Sequence, residues 1–506
     1  MYDAGTTLRF YGASRRSGFS DQAAFRGGPK AAAMSIGLRR RVVAALLTLL
    51  AIAGTPGAAD AHQLFIPMTG QRARPIDSAT LFHTLFNDFF DEADGTTYVQ
   101  TGDIPAMWLR DSSAQTIPYL RFQTYYPALR ARFAGVVERD ARNILKDPYA
   151  NAFMSNYHVW ERKWEIDSLA WPVVLAYIYS KQTGDRTIFS NTLHLALRKV
   201  VDTYRCEQLH ATCSRYAYPF DVPTQNAYNA DTGMIWGAFR PSDDPVRYRY
   251  NIPQNALAAI ALRDLADLAV TGYRDTNLAN EANSIAAHVQ LGIARYGVAW
   301  NAKHTARIYA YEVDGNGHAN LMDDANIPNL TTLPYIGWCG ANDPLYLATR
   351  AFSLSKDDPW YFSGTYATGL GSPHTPDGYV WPLGIIGRAL TATGSPEVAA
   401  SITTLAETDS LDGLIHESFY PGGYWRYTRA EFGWANALYA ELIFRSVAGF
   451  TAISFVGDDL TMVPFEHPIP TPTLSTPMER LENAAAIVDS LGELLATRSQ
   501  MPSKPH

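Results

Sequence analysis

Cysteine is scarce: 506 residues hold only Cys206, Cys213 and Cys339. None of the three forms a C-x-x-C pair or meets an H-x-x-x-H run, which excludes an ordinary zinc centre and leaves a cysteine nucleophile unsupported. A glycine-rich fingerprint is missing too, as is any alternation of strand and helix patterns, so nothing points to a doubly wound nucleotide-binding sheet. Period-2 alternation is confined to short pieces such as Ile308-Tyr309-Ala310-Tyr311. No internal repeat of about 30 to 50 residues emerges, which counts against a helical solenoid. Positive charge is also short. Beyond position 61 there are 34 basic against 46 acidic residues, a net of −12, within −7 for the whole chain. That balance argues against nucleic acid or an anionic membrane as partner and suits a neutral substrate.

Aromatic residues, by contrast, are plentiful: 11 Trp and 29 Tyr within a chain that is 47% hydrophobic. Tyr and Trp carry polar groups that want partners, so the number tilts from pure packing towards a cleft. The aromatics cluster with carboxylates. Met107-Trp108-Leu109-Arg110-Asp111-Ser112 recurs in kind as Lys163-Trp164-Glu165-Ile166-Asp167-Ser168, Arg240-Pro241-Ser242-Asp243-Asp244 and His416-Glu417-Ser418-Phe419. Such parts build a metal-free sugar-cleaving site: ring faces stack on sugar C–H groups, Arg and Asp bind hydroxyls, and two carboxyl groups handle protons.

The first 61 residues read as a leader. Arg39-Arg40-Arg41 precedes an apolar run over residues 42–53, and Ala59-Asp60-Ala61 supplies small residues for cleavage after Ala61. Met34 makes a natural start for this signal peptide. The run is short for a membrane span, so the mature chain is expected to be exported, periplasmic or secreted, and free of membrane. Export permits disulfides, and Cys206 with Cys213 could pin a short polar loop.

Residues 62–464 read as one all-α body. Apolar stripes at helical spacing run through Phe133, Val137, Ala141, Ile144 and Leu145; through Ile166, Leu169, Val173 and Tyr177; through Leu257, Ile260, Ala261, Leu265 and Leu268; through Leu278, Ala282, Ile285, Val289 and Ile293; and through Leu438 and Leu442 with Tyr439, Ile443 and Val447. Pro172 is expected to end or kink the second. Ser395-Pro396 looks like an N-cap and first helical residue. Two antiparallel helical layers closed into a ring would suit this length and gather many loops at one end. Residues 465–506, opening with Pro468, Pro470 and Pro472, read as a linker and peripheral helix.

Each candidate residue has an ordinary reading beside the chemical one. Asp243-Asp244, flanked by Arg240 and Arg247, offers opposed electrostatic pressures suited to acid chemistry, but Ser-Asp-Asp before Pro245 also fits a turn. Glu417 could hold a water in a cavity walled by Tyr420, Tyr424, Trp425 and Tyr427, or be a surface Glu. Arg110 and Asp111 could grip vicinal hydroxyls or form a buried ion pair. Asp167 could do the same or merely cap a helix. His374, in Gly371-Ser372-Pro373-His374, suits a sugar hydroxyl or a loop hydrogen bond. Met322-Asp323-Asp324-Ala325-Asn326 invites magnesium, yet lacks the second acidic motif and diphosphate-binding cations such a site needs.

Taken together, these pieces resemble glycoside hydrolase family 125, the metal-independent exo-α-1,6-mannosidases. Further matching stretches are Gly233-Met234-Ile235-Trp236, Asn251-Ile252-Pro253, Tyr311-Glu312-Val313-Asp314-Gly315, Leu333-Pro334-Tyr335 and Trp434-Ala435-Asn436, all in family order over roughly residues 65–447. The resemblance implies an (α/α)6 barrel, no cofactor or metal, and inverting release of terminal α-1,6-linked mannose from an oligosaccharide or glycan. It implies Asp244 as general acid, with Asp243 the alternative, and Glu417 as general base. Trp108, Arg110, Asp111, Asp167, Arg240, Asp243 and His374 would bind the sugar. An inverting α-glucosidase of the glucoamylase or trehalase kind on the same toroid, and a non-catalytic carbohydrate-binding protein, are the competing readings.

Overall fold

The computed structural model describes residues 78–217, 227–409 and 413–446. The leader, the tail over 465–506 and Val447 lie outside the described residues.

The helices fall into two kinds. α1 (Leu109–Thr116), α3 (Ile166–Thr183), α5 (Ile252–Tyr273), α8 (Pro382–Leu390) and α10 (Gly433–Ser446) are buried around nearly their whole circumference. α2 (Pro127–Lys146), α4 (Asn191–Gln208), α6 (Thr276–Tyr296) and α9 (Ser395–Glu407) bury one stripe and expose the other face. A helix apolar all round needs neighbours on every side, whereas an amphipathic one closes an outer layer. The packing follows that rule. α1 packs on α3, α3 on α5, and α10 on both α1 and α8, forming the inner layer; α2 pairs with α4, α4 and α5 with α6, and α8 with α9 outside it. A short helix α7 (Pro344–Ser353) packs on the strand Arg307–Tyr309, which bears out the strand-like piece near Ile308.

Turn chemistry sets the direction of each helix. α5 ends at Arg274 in the left-handed conformation, and the very next residue, Asp275, caps α6 by accepting from the Leu278 N–H at 2.9 Å. So short a connection makes the two helices antiparallel neighbours. α3 ends at Gly184 (φ 61°) and α4 starts at Ser190, whose hydroxyl accepts from the Leu193 N–H. Inner helices alternate with outer ones along this part of the chain, so they run the same way and begin at one end.

Two sequence expectations change. Pro172 lies inside α3 without ending it, because the helix is buried between α1 and α5 and that packing outweighs one lost backbone hydrogen bond. Ser395 is the first helical residue of α9, not its cap; Gly394 holds that position and Pro396 falls within the first turn. Cys206 and Cys213 are joined as a disulfide, and Cys339 is free and half-buried.

Small antiparallel sheets decorate the starts of the inner helices. Met107–Trp108 pairs with Ala152–Phe153 and leads straight into α1; Tyr250–Asn251 pairs with Glu312–Val313 and leads into α5. Hairpins Tyr361–Ser363/Thr368–Leu370 and Ser418–Phe419/Tyr427–Thr428 precede α8 and α10. Trp108, Arg110, Asp111 and Asp167 lie just before, or in the first turn of, an inner helix, and Arg240, Asp243, Asp244, His374 and Glu417 lie on the segments that lead into the next ones. That end of the layer is where a site can form.

Candidate active site

Arg110, in the first turn of α1, is the hub of one wall. Its guanidinium donates to Glu165 at 2.7 Å and Asp243 at 3.2 Å, and lies 3.5 Å from Asp111 and 3.8 Å from Asp167. Four carboxyl groups around one cation cannot all be ionised at ease in a buried place. Burial pushes Asp111 up to about 6 against the pull of Arg110, and pushes Asp167 up to about 7. Burial and the Asp243 charge raise Glu165 well above the usual range. Burial opposes ionisation of Asp243 too, but its hydrogen bond with Glu165 and the cations Arg110, Lys163 and His374 outweigh that and hold it well below. Asn151 reinforces Glu165 and Asp243, its amide lying 3.2 Å from each.

Asp243 has a left-handed backbone (φ 66°), which Asp tolerates better than most residues. The kink closes a turn in which the Asp243 N–H donates to the Arg240 carbonyl and the Arg240 N–H to the Asp244 carbonyl. It also turns the two adjacent side chains to different surroundings. Asp243 faces the Arg110 lattice; Asp244 accepts from the Ser242 hydroxyl at 3.1 Å and meets His374 Nδ1 at 3.5 Å, with about a quarter of its side chain exposed. Arg240 itself is tied to Glu312 at 2.6 Å, beside Tyr311.

His374 joins this wall to the one opposite. Burial disfavours its charge, but the hydrogen bond with Asp244 and the charges of Asp244, Asp243 and Glu417 raise it to about 9. One cation thus feels both Asp244 and Glu417, which lie 173 positions apart in the sequence. Glu417, nearly buried, stands 3.5 Å from Arg429 Nη1. Arg429 is fastened in turn: it donates to Asp103 and to the Thr101 carbonyl, both at 2.7 Å, and its plane covers Phe432. The Arg429 charge also reaches Asp111. Direct contacts thus join Asp244 to His374, Glu417 to Arg429, and Asp111 and Asp243 to Arg110, while longer-range charge influence links His374 with Glu417 and Arg429 with Asp111.

Buried polar atoms without hydrogen-bond partners gather here: Asp111 Oδ2, both oxygens of Asp167, and the indole N–H of Trp108. Buried polar atoms of this kind call for an explanation, and a polar ligand or water is one that fits a cluster of acids. Trp108 packs with Ala106 and Ala152, apart from the main core. The structure brings Arg110, Asp111, Asp167, Asp243, Asp244, His374 and Glu417 into one connected cluster. Arg240 borders it through Asp244's turn, and no hydrogen bond or ion pair ties Trp108 to the carboxylates.

Other expectations are corrected or filled in. Asp167 is not the cap of α3; Glu165 occupies that position and Asp167 lies in the first turn. Of the aromatics after Glu417, Tyr420, Trp425 and Tyr427 are exposed, Tyr427 stacks on His416, and Tyr424 is half-buried against the core. In Met322-Asp323-Asp324-Ala325-Asn326, Asp323 is spent on the backbone N–H groups of Leu330 and Thr331. Sequence reasoning passed over Arg429, and Glu165 and Glu312 as partners of Arg110 and Arg240. A cation twelve residues beyond a candidate base is a signal only once the hairpin between them is known.

Helical layers with a cluster of carboxyl groups at one end are consistent with a glycoside hydrolase, and likeness to known proteins establishes that class. Residues 76–444 match the metal-independent α-mannosidases of glycoside hydrolase family 125, and the chain belongs to that family. It is 33% identical over 395 residues to the meiotically up-regulated gene 157 protein of Schizosaccharomyces pombe (strain 972 / ATCC 24843), spanning 70% of this chain and 77% of that one. A solved metal-independent α-mannosidase from Streptococcus pneumoniae, in a non-productive complex with α-1,6-mannobiose, is 34% identical; the match covers 80% of this chain and 97% of that one with a TM-score of 0.70.

Proposed function

We propose that this chain is an exported, exo-acting α-mannosidase that releases terminal α-1,6-linked mannose with inversion, on an (α/α)6 barrel and without metal. What supports this reading is the contact of His374 with Asp244 at 3.5 Å, together with the influence of both the Asp244 and the Glu417 charges on the same imidazole. Asp244 protonates the glycosidic oxygen as the bond to C1 breaks. Glu417 takes a proton from the water that attacks C1 from the opposite face, so an α-mannoside yields β-mannose. Asp243 does not suit the acid role, because the Arg110 lattice keeps it ionised. Its neighbour is left to donate. Arg110, Asp111 and Asp167 offer charged and acceptor groups to sugar hydroxyls, and Arg429 orients Glu417. The (α/α)6 arrangement is supported by the likeness to the S. pneumoniae enzyme, export by the leader pattern.

The test is proton NMR of the first-formed anomer from α-1,6-mannobiose with chelator present. β-Mannose appearing first, at an undiminished rate, is the expected result. The α anomer would refute inversion, glucose release from maltose in preference would refute the substrate, and activity restored only by calcium would refute metal independence.

A further inference from the structure

The two hairpins that flank the cluster end in a shared aromatic surface. Strand Thr368–Leu370 runs into Gly371-Ser372-Pro373-His374, so the first hairpin delivers His374. The second begins immediately after Glu417 and ends immediately before Arg429, so its two feet are the ion pair itself. Its tip carries Tyr424 and Trp425. The first hairpin's tip carries Tyr366, whose N–H donates to the Pro421 carbonyl at 2.9 Å. Gly364 comes so close to Pro421 that a Cβ there would lie 2.4 Å from its backbone. The tips are thus knitted together. Tyr366, Tyr424 and Trp425 meet edge to face at 5.3 to 5.9 Å, and Tyr420 and Tyr379, 6.1 Å apart, continue the surface inward.

These rings are far from buried: Trp425 is 62% exposed, Tyr366 41% and Tyr420 38%. Edge-to-face packing fixes Tyr366, Tyr424 and Trp425, whereas Tyr420 is tilted against Tyr379 and carries the Arg426 guanidinium over its ring, 4.6 Å from the centroid. A contiguous exposed aromatic surface beside a polar site is the mark of a ligand-binding surface. At roughly 3.3 Å per strand residue, the tip stands on the order of 10 Å from Glu417. An exo-acting site holds only the end of a chain, so the remainder must run out over the rim.

We propose that Tyr366, Tyr420 and Trp425 form a platform for the sugar units beyond the scissile bond, so that the enzyme reads an extended oligomannoside and not only its terminal pair. The occupant is a neutral carbohydrate chain continuous with the bound residue. This rests on the reading under Proposed function, and it goes further by giving the site a preference for chain length.

The test is kcat/KM for an aryl α-mannoside and for linear α-1,6-mannobiose, -triose and -tetraose, with the wild type, Trp425→Ala and the Trp425→Ala/Tyr366→Ala pair. Wild-type values are expected to rise with length. The double variant should lose on the order of tenfold on the tetraose, and under about threefold on the aryl mannoside. Trp425→Phe should keep most of the gain. Calorimetric titration of the tetraose into Asp244→Asn, with and without Trp425→Ala, should show the same loss as weaker binding, independently of turnover. Equal losses on every substrate would mean that the rings only support the hairpins, and would overturn the proposal. A flat wild-type length profile would do the same, as would a platform variant that changes the oligomeric state instead of the profile. If no member of the series releases mannose, the functional reading itself falls; mannose release with a flat profile sinks the platform alone.

Discussion

The two walls of the site are made differently. The Asp244 wall is a packed lattice: Arg110, Glu165 and Asp167 are buried together, and Asp243, half-buried at their edge, holds a left-handed backbone to fit. The Glu417 wall is a hairpin with a two-rung ladder, gripped at its feet by Arg429 and open to solvent at its tip. In the first, position is over-determined by charge in a place of low polarity, and losing any member strands the others. In the second, position is set by backbone pairing and one partly exposed cation. Asp243 thus has rigid surroundings, with Asp244 beside it a quarter exposed, and Glu417 stands at the foot of a hairpin whose tip is open to solvent.

The sharpest way to separate the walls is through the leaving group. Asp244→Asn should cost roughly 10²–10⁴ in kcat on α-1,6-mannobiose and far less on an activated aryl mannoside, because a good leaving group needs no proton. Glu417→Gln should cost as much on both, since the water must be activated either way. Steady-state kinetics on the two substrates would show this, and an equal loss for Asp244→Asn would break the assignment of roles.

Next in size is the lattice. Arg110→Met should destabilise the fold by about 3–5 kcal/mol at neutral pH, measured by denaturant unfolding, because it leaves the carboxyl groups around it buried without a cation. The loss should ease on acidification. Asp111 and Asp167 are held at about 6 and 7 in the folded chain, above their unfolded value, so folding gains as pH falls from about 7 towards 4. A loss that stayed constant across that range would contradict the picture of strained acids.

Arg429→Gln tests the other wall and should be gentler. It is expected to lower kcat about tenfold with little change in KM, and to leave the denaturation midpoint nearly unmoved. A large rise in KM with kcat preserved would make Arg429 a sugar ligand instead.

The smallest expected effect belongs to the bridge between the walls. His374 is raised to about 9, so its charge stabilises the folded site fully below its ordinary value of 6.5, and this is lost as pH rises through about 9. His374→Asn removes a cation that both carboxyl groups face. Both limbs of the kcat/KM profile should therefore move to higher pH, by roughly one unit or less. Movement to lower pH would reverse the sign of the argument.

What could be read in advance divides along physical lines. The outer helices announced themselves, because Leu278, Ala282, Ile285, Val289 and Ile293 repeat at the spacing of a half-buried helix. The inner ones were harder, being apolar all round; α1, with Arg110 and Asp111 buried in it, carries no stripe at all. Asp244 and Glu417 were visible through the company they keep in their motifs. Their environment was not, since Arg110 meets Asp243 across 133 residues and Tyr366 meets Trp425 across 59. The aromatics after Glu417 were noticed and then given the wrong surroundings, because a β-hairpin carries such residues outward and a loop need not.

The second hairpin has one more implication. Beyond its two rungs, Phe419 exchanges two backbone hydrogen bonds with Val380, both 2.9 Å. Successive strand residues point to opposite faces, so a slip of a single position would swing Glu417 away from the substrate. Gaining or losing one residue within the paired segments would therefore displace Glu417 and every side chain on the hairpin together, a larger change than most single substitutions between its feet.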